Sequence, residues 1–244
     1  MRKLIKRVVN SRYWWFLHGL PYPSRAATLF SIRSHTMTWP TRAKVLWGSC
    51  RKALVDGVEG DFVECGVWRG GSAGLMGLVL RDFDITSCRK LHLFDSFEGL
   101  PEPREEDGER AAEYSGGVSS GELKSVHQCE AGIEVVENFL FEKLGLSRND
   151  IIFHQGWFQN TLPSLGEAPK KIAVLRLDGD WYESTMVCLE HLYGRVAAGG
   201  VVILDDYYCW EGCQKATDEF RAARGVKEPL VRIDNEAVYW IKTK

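Results

Sequence analysis

Short apolar segments alternate with helical patterns of apolar residues along most of the chain after residue 60. The apolar segments predict five β-strands, at residues 62–65, 91–94, 151–153, 172–177 and 201–204. The helical patterns fall between them, near residues 73–82, 133–144, 184–193 and 212–223. This alternation predicts a parallel sheet joined by right-handed crossovers. The last two of these strands are almost wholly apolar, as expected of strands that are covered on both faces.

The two ends of the chain depart from this alternation. Near the C-terminus, apolar segments at residues 230–233 and 237–241 flank Asp234-Asn235-Glu236, which predicts an antiparallel hairpin. The predicted fold is therefore α/β, with a mostly parallel seven-stranded sheet, a C-terminal antiparallel hairpin and helices on both faces. Near the N-terminus, residues 41–56 carry a moderate helical pattern. Residues 1–35 mix basic, aromatic and turn residues, which we interpret as a short helical arm and a loop.

The length of 244 residues suits one large domain, which we place at residues 36–244, after an N-terminal arm at residues 1–35. The alternating pattern lapses between about residues 101 and 132, where glycines and acidic residues replace the apolar ones. A structureless loop of that length is uncommon in a compact domain and is often a functional lid. Ordinary disorder is the alternative for this segment.

Charge is distributed unevenly along the chain, although the net charge is only −2. Eleven Lys and Arg residues and no acidic residue precede Asp56, so the remainder of the chain carries −13. The basic, aromatic N-terminus predicts contact with an anionic membrane surface or substrate, or docking on the acidic body or on a partner subunit. The acidic body argues against nucleic acid as a partner, because a phosphate backbone requires a broad basic face.

Cysteine usage and the lengths of the apolar runs bear on the compartment. The seven cysteines form no C-x-x-C pair, and they are Cys50, Cys65, Cys88, Cys129, Cys188, Cys209 and Cys213. We interpret them as reduced thiols. The sequence has no run of about 18 apolar residues, which a membrane-spanning helix would require, and basic residues break the apolar stretches of the N-terminus. These features predict a cytoplasmic protein.

Acidic side chains follow directly after the two most apolar strands. Asp178 closes the segment 172–177, and Asp205 and Asp206 close the segment 201–204. Parallel α/β sheets bind ligands beyond the carboxyl ends of their strands, where these side chains meet. Three carboxylates in one place repel each other unless a hard divalent cation neutralises them. They therefore predict a metal site. If the chain stayed extended at Asp205, only one member of the adjacent pair would face that site.

A Gly-rich turn joins the first strand to a helix for which Ser72 is the predicted N-cap, and it reads Glu64-Cys65-Gly66-Val67-Trp68-Arg69-Gly70-Gly71-Ser72. Glycine permits close approach of the backbone to a ligand. Because Glu64 would repel a phosphate, the turn suits a cationic ligand. Asp95, at the end of the second strand, lies where nucleoside-binding folds hold ribose hydroxyls. The alternatives are a plain tight turn and an aspartate that caps its own loop.

Asp180 is the candidate general base. Gly179 permits a sharp turn, so that Asp178 and Asp180 can face one cavity. A hydroxyl beside a divalent ion is far more acidic than a free alcohol, and Asp180 would take its proton. The alternative is an acidic residue that stabilises a helix N-terminus. His127 and His154 are weaker candidates for a base, since a lone histidine is more often structural or at the surface.

With these residues in place, the chain from about residue 36 to 225 resembles the macrocin O-methyltransferase (TylF-type) family, which methylates sugar hydroxyls in macrolide and aminocoumarin biosynthesis. The resemblance rests on motifs in the same order, namely Thr36-Met37-Thr38, residues 60–72, residues 94–101, Gly156-Trp157-Phe158, residues 177–185 and Asp205-Asp206-Tyr207. It implies a Rossmann-like class I methyltransferase fold, S-adenosylmethionine as methyl donor and Mg²⁺ as the metal. It also implies a homo-oligomer with a lid that orders on binding.

The resemblance further implies a role for individual residues. It implies that Asp178, Asp205 and Asp206 bind Mg²⁺ and that Asp180 is the general base. Around the cofactor it places Glu64, Gly66 and Ser72 at the methionine end, Thr38 near the carboxylate, Asp95 and Ser96 at the ribose, and Gln155, Gly156 and Trp157 near the adenine. A carboxylate at Glu64 would suit the ammonium group of S-adenosylmethionine.

We therefore predict Mg²⁺-dependent transfer of a methyl group from S-adenosylmethionine to a hydroxyl of a sugar or polyhydroxylated small molecule, in natural-product or glycan tailoring. Three alternatives remain open. They are a non-catalytic nucleotide-binding or regulatory module of the same fold, a nicotinamide-dependent oxidoreductase, and an O-methyltransferase that acts on a catechol-like acceptor.

Overall fold

A computed structural model describes residues 23–84 and 89–244, so the predictions for residues 1–22 of the arm and for Cys88 lie outside the described residues. The helices are α1 (Pro23–Ile32), α2 (Pro40–Val55), α3 (Gly71–Phe83), α4 (Gly108–Tyr114), α5 (Ile133–Glu137), α6 (Phe158–Thr161), α7 (Tyr182–Leu192) and α8 (Glu211–Arg224). The strands are β1 (Asp61–Cys65), β2 (Leu91–Asp95), β3 (Ile151–Gln155), β4 (Ile172–Leu177), β5 (Val196–Leu204), β6 (Val231–Arg232) and β7 (Val238–Ile241). Helix α5 continues into a π-helical segment at Asn138–Lys143, and single 3₁₀ turns lie at Glu105–Asp107, Arg148–Asp150 and Tyr193–Arg195.

The seven strands form one sheet in the order β3-β2-β1-β4-β5-β7-β6. Strands β1 to β5 run parallel, whereas β7 is antiparallel to both β5 and β6. Only a short turn separates β6 from β7, and antiparallel strands can be joined in that way while parallel strands need a longer crossover. The predicted α/β fold with a C-terminal antiparallel hairpin is confirmed.

Helices cover both faces of the sheet, which explains why the central strands are so apolar. Phe62 of β1 belongs to a core shared with α1, α2 and α3, where Leu75 is fully buried. The next residue, Val63, belongs to the opposite core, which includes Leu189 of α7. Successive side chains of a strand point to opposite faces, so both faces require apolar residues. Each such burial stabilises the fold by about 1.5–3 kcal/mol relative to an exposed side chain.

The carboxyl ends of three central strands lie level with one another. Cys65 of β1 pairs with Leu177 of β4, and Leu177 pairs in turn with Leu204 of β5. The segments that follow these strands therefore leave the sheet at the same edge and at the same height. This register brings the Gly-rich turn and the two acidic strand ends into one place.

Helix α1 lies within the stretch that was predicted as the N-terminal arm. Its Leu29 and Ile32 are fully buried, in the same core as Leu46 of α2 and Met76 of α3. The described part of this stretch thus packs as part of the domain. The boundary placed at residue 35 stays a prediction.

Residues 101–132, called the insertion below, contain more regular structure than the sequence predicted. The expectation of a structureless loop is wrong, because the insertion holds the 3₁₀ turn Glu105–Asp107 and helix α4, and Pro101 forms a β-bridge with Ser125. Ala111 is the one buried residue among the seven of α4. A helix that buries so little has no apolar periodicity from which it could be predicted.

The start of α3 also differs from the predicted one. Helix α3 begins at Gly71, and Gly70 before it has a φ angle of 82°. Ser72 is therefore the second residue of the helix, and the prediction that it is the N-cap is wrong. Glycine adopts this left-handed conformation without strain, so the chain enters the helix earlier than a serine cap would allow.

Two findings bear on the predicted compartment. Within residues 23–84 and 89–244, no helix combines the length and the apolar character that crossing a membrane requires. Six cysteines lie in these ranges and all six are free thiols, as the sequence predicted for them.

Candidate active site

A cavity of about 210 Å³ opens at the carboxyl edge of the sheet, beyond the ends of the central parallel strands. Ten of the thirteen predicted site residues line it, and these are Thr38, Gly66, Ser72, Asp95, Ser96, Trp157, Asp178, Asp180, Asp205 and Asp206. The other three, Glu64, Gln155 and Gly156, lie outside the lining. The location agrees with the rule that open α/β sheets bind ligands at this edge.

Three carboxylates converge in the cavity. One oxygen from each of Asp178, Asp205 and Asp206 lies within 4.8 Å of the other two. Strand β5 ends at Leu204 and the chain turns at once, so the adjacent Asp205 and Asp206 both reach the cluster. Among the described residues, Oδ2 of the buried Asp206 has no hydrogen-bond partner. Burial and the charges of Asp180 and Asp178 raise the pKa of Asp206 well above its usual value.

A buried arginine that the sequence did not lead us to expect neutralises part of this charge. Arg176 is 3% exposed, and its Nη2 forms ion pairs with Asp178 Oδ2 at 2.9 Å and with Asp205 Oδ1 at 3.0 Å. Its Nη1 donates to Glu64 Oε1 at 2.8 Å. Arg176 is the one charged residue in β4. Such a residue in a buried strand requires a buried partner, and that signal was available in the sequence.

A second arginine, Arg42 of α2, reaches the same cluster from the other side. Its Nη1 donates to Asp205 Oδ2 at 2.6 Å, and its Nε donates to Asp234 Oδ2 at 2.8 Å. It also forms an ion pair with Glu236, at the turn between β6 and β7. Burial alone would raise the pKa of Asp205, but Arg176 and Arg42 together hold it below its usual value.

Glu64 lies outside the cavity lining and contacts Arg176. Its side chain is fully buried, and its Oε1 accepts from Arg176. Within the described part of the chain, its Oε2 has no hydrogen-bond partner. Burial raises the pKa of Glu64 to about 8, although Arg176 opposes that shift. A contact between Glu64 and the cofactor stays a prediction, and the structure shows it as a partner of Arg176.

Asp180 faces the cavity in an uncommon backbone conformation. Its φ angle is 57°, in the left-handed region that aspartate tolerates better than most residues. The indole Nε1 of Trp210 donates to Asp180 Oδ1 at 2.7 Å. Burial, followed by the charge of Asp178, raises the pKa of Asp180 to about 8. Trp210, at the start of α8, was not predicted, because nothing in its local sequence relates it to Asp180.

Asp95 organises the Gly-rich turn. Its Oδ2 accepts from the backbone N–H groups of Val67 at 2.6 Å and Trp68 at 3.2 Å, and its Oδ1 accepts from Phe97 N–H at 2.7 Å. Gly66 has a φ angle of 87°, and a Cβ there would collide with the carbonyl oxygen of Asp178. Glycine is therefore required where the ends of β1 and β4 meet. The ribose contact implied for Asp95 stays a prediction.

The remaining predicted residues are arranged around the same cavity. Thr38 Oγ1 donates to Asp205 Oδ2 at 3.5 Å, and Ser96 Oγ donates to the Gly99 carbonyl at 3.1 Å. Trp157 and its neighbour Phe158 contribute aromatic side chains to the lining. Thr38, Ser96 and Trp157 thus lie at the cavity, and the cofactor contacts implied for them stay predictions.

The two candidate histidines lie outside the cavity lining. His154 stacks on Phe94 with ring centroids 4.0 Å apart, and its Nε2 is 2.9 Å from Nδ1 of His92. Burial and the neighbouring His92 lower the pKa of His154 to about 4. The exposed His127 pairs with Glu130 at 2.9 Å. His154 is thus in a structural position and His127 is at the surface, which are the alternatives to a role as general base.

The chain has relatives among known families and proteins. The model of the macrocin O-methyltransferase (TylF) family matches residues 26–242. The 8-demethyl-8-(2,3-dimethoxy-α-L-rhamnosyl)-tetracenomycin-C 4′-O-methyltransferase of Streptomyces olivaceus is 39% identical over 214 residues, which cover 86% of this chain and 76% of that protein. The mycinamicin III 3″-O-methyltransferase of Micromonospora griseorubida is 35% identical over 213 residues, or 85% of this chain and 78% of that protein.

A solved structure supports the same assignment. The O-methyltransferase NovP is 33% identical to this chain and superposes with a TM-score of 0.75, covering 99% of this chain and 98% of its own. The match to the family model extends over nearly the whole described chain, including every residue that lines the cavity. The chain belongs to the macrocin O-methyltransferase (TylF) family of O-methyltransferases.

Proposed function

We propose that this protein transfers a methyl group from S-adenosylmethionine to a hydroxyl of a sugar or polyhydroxylated small molecule, with Mg²⁺ bound at the carboxylate cluster. The observation that carries this proposal is the convergence of Asp178, Asp205 and Asp206 beside Asp180, in the same cavity as the Gly-rich turn. The names of the two curated relatives specify O-methylation of a rhamnosyl-tetracenomycin and of mycinamicin III. They support a sugar-bearing acceptor in natural-product tailoring rather than a catechol.

The cluster fits a hard divalent cation. Asp178, Asp205 and Asp206 would hold Mg²⁺, for which carboxylate oxygens are preferred ligands. The buried Oδ2 of Asp206 is unpartnered among the described residues, and a cation would compensate the negative charge that burial and the neighbouring carboxylates disfavour there. Arg42 and Arg176 both form ion pairs with Asp205, and neither forms one with Asp206. When bound, the ion lowers the pKa of a hydroxyl next to it.

The part of the cavity beside β1 and β2 fits S-adenosylmethionine. Gly66 keeps the strand end free of side-chain bulk, and Asp95 fixes the backbone of the turn. Trp157 and Phe158 offer aromatic faces against which an adenine ring can pack. The acidic lining suits a cationic sulfonium. When bound, the cofactor supplies the methyl group.

Asp180 takes the proton of the acceptor hydroxyl in this proposal. Burial raises the pKa of Asp180 above its ordinary value, toward the range that suits a general base near neutral pH. Trp210 holds Oδ1, so Oδ2 is the oxygen that would accept the proton. The buried Trp181, next to Asp180 in the chain, packs against Trp210 with ring centroids 5.0 Å apart. Positioning of the reactants in such a cavity supplies much of the rate acceleration.

Substitutions at Asp178 and Asp180 test this division of roles. We expect Asp178→Asn to abolish Mg²⁺ uptake and turnover while S-adenosylmethionine binding persists. We expect Asp180→Asn to lower kcat by about 10²–10⁴-fold with both binding steps intact. Calorimetry measures binding. Tritium transfer from labelled S-adenosylmethionine measures turnover, with mycinamicin III and catechol as acceptors.

The exposed Asp150, which pairs with Lys90 at the surface, provides a matched control. Asp150→Asn should change none of the three measurements. An equal loss of cofactor affinity in Asp178→Asn would contradict the assignment of that residue to the metal. Methylation that survives chelation would contradict Mg²⁺ dependence, and transfer to catechol alone would favour the catechol alternative.

A further inference from the structure

Asp107 is the buried acidic residue of the insertion. It is 1% exposed and ends the 3₁₀ turn Glu105–Asp107. Its Oδ2 accepts from the backbone N–H of Arg104 at 2.8 Å, inside the insertion. Its Oδ1 accepts from the backbone N–H of Tyr182 at 2.6 Å, at the first residue of α7. One carboxylate therefore joins the insertion to the start of a helix 75 residues away.

Helix α8 packs against the same carboxylate. A Cβ at Gly212 would collide with Asp107 Oδ1 and would lie 2.8 Å from the backbone nitrogen of Tyr182. The absence of a side chain at Gly212 thus lets α8 begin directly against Asp107. The N-termini of α7 and α8 both carry partial positive charge, and a carboxylate between them is electrostatically favourable. The N-cap residue of each helix, Trp181 or Trp210, makes no side-chain capping hydrogen bond.

Both helices follow directly after the loops that carry the acidic residues of the site. Helix α7 begins two residues after Asp180, and α8 begins five residues after Asp206. A shift of either helix start would therefore move these carboxylates relative to each other. Because Asp107 contacts both helix starts, its position is linked to the spacing of the two acidic loops.

Other contacts of the insertion reach the same two loops. Trp181 Nε1 donates to the Pro101 carbonyl at 2.9 Å, and Arg110 Nη1 donates to the Cys209 carbonyl at 2.7 Å. The ring of Tyr114 lies 5.4 Å from that of Trp210, which in turn holds Asp180. Trp210 and Arg110 are also in cation–π contact, at 4.8 Å. The insertion is therefore docked across both loops, with Asp107 as its buried contact.

We propose that Asp107 is a positioning residue for methyl transfer, which sets the distance between the Asp178–Asp180 loop and the Asp205–Asp206 loop by joining the N-termini of α7 and α8. Because it acts on the loops that carry the proposed metal ligands and base, this role rests on the proposed function. Asp107 does not line the cavity, so it would act through the two loops rather than by contact with the reactants.

The test compares Asp107→Ala with Glu106→Ala, its neighbour on the same turn, in the full-length protein. We expect Asp107→Ala to lower kcat by about 10–100-fold, because a small displacement of catalytic groups has effects of that size. The dissociation constant of S-adenosylmethionine should stay within about threefold, because the cofactor side of the cavity does not contact Asp107. Amide exchange, measured by mass spectrometry, should accelerate in residues 101–114 and at the starts of α7 and α8.

A second variant covers the case in which Asp107→Ala folds poorly. Gly212→Ala disturbs the same contact from α8, and it should reproduce the fall in kcat and the local acceleration of exchange. Asp107→Asn keeps an oxygen acceptor for Tyr182 and should recover part of the lost kcat. Glu106→Ala should behave as the unaltered protein.

The outcomes separate this role from general stabilisation. If Asp107→Ala lowers the unfolding temperature but leaves kcat of the folded protein equal to that of Glu106→Ala, the positioning role is wrong. Unchanged exchange at α7 and α8 would also overturn it. Failure of the proposed function would appear differently, as absent Mg²⁺ uptake or full activity of Asp180→Asn. Amide exchange can be measured without turnover, so its result tests the contacts of Asp107 even if the proposed function is wrong.

Discussion

Replacing Arg176 with methionine removes the cation that the buried Glu64 and Asp205 share with the half-buried Asp178. Methionine has a similar length and no charge, so it fills much of the space along β4 without donating to Glu64, Asp178 or Asp205. Side-chain exposures of 4% for Arg176, 1% for Glu64 and 7% for Asp205 mean that water cannot replace the donors lost by Glu64 and Asp205, whereas Asp178 is 32% exposed and can be hydrated. The variant therefore retains buried negative charge that is poorly compensated.

The expected cost follows from this burial. Removing one partner of a buried ion pair destabilises a protein by about 3–5 kcal/mol. In a domain of this size, each kcal/mol lowers the unfolding temperature by about 2–4 °C. Arg176→Met should therefore unfold about 6–20 °C below the unaltered protein in the presence of a chelator. The cost should be smaller at low pH, where the carboxylates become protonated.

Thermal unfolding followed by circular dichroism measures this difference. Arg148→Met is the matched control, because Arg148 is exposed and pairs with Glu137 at 3.1 Å on the surface. An exposed pair contributes at most about 1 kcal/mol, so the control should unfold within a few degrees of the unaltered protein. If Arg176→Met unfolds within about 2 °C of this control at neutral pH, the buried-charge account of the cluster is refuted. Bound Mg²⁺ should restore more stability to Arg176→Met than to the unaltered protein, because it replaces the missing positive charge.

Three further predictions concern the same cluster. Asp206→Asn should weaken Mg²⁺ binding at least about tenfold by calorimetry, yet stabilise the metal-free protein, because it removes a carboxyl group whose ionisation is disfavoured by burial and by the neighbouring carboxylates. Burial raises the pKa of Glu64 from 4.5 to about 8, so its stabilising contribution is present below pH 4.5 and lost as the pH rises through 8. Glu64→Gln should abolish this pH dependence of the free energy of unfolding, which is on the order of 5 kcal/mol. Denaturant titration of chelator-treated protein at several pH values measures it. Trp210→Phe should lower kcat roughly tenfold with little change in cofactor affinity, because it removes the hydrogen bond that orients Asp180. Equal behaviour of Trp210→Phe and the unaltered protein in single-turnover assays would exclude that role.

The sequence by itself determined the fold class and the place of the site. The apolar segments of β4 and β5 predicted a covered parallel sheet, and the hairpin after residue 230 predicted its antiparallel edge; both are confirmed. Local periodicity reports strands directly, and parallel strands end at one edge. The acidic residues after β4 and β5 could therefore be placed together on the strength of the apolar pattern alone. The family also followed from local motifs, and the match over residues 26–242 confirms it.

The tertiary structure decided which residues support these carboxylates. Arg176 meets Glu64 across 112 residues of sequence, and Arg42 meets Asp205 across 163 residues. The same holds for Asp107 at the start of α7. Such pairs depend on how β1, β4 and α2 pack and on which side chains lose access to water. A charged residue in an apolar strand, such as Arg176, indicates that a buried partner exists, but no periodic pattern identifies that partner, because it lies in a distant segment of the chain.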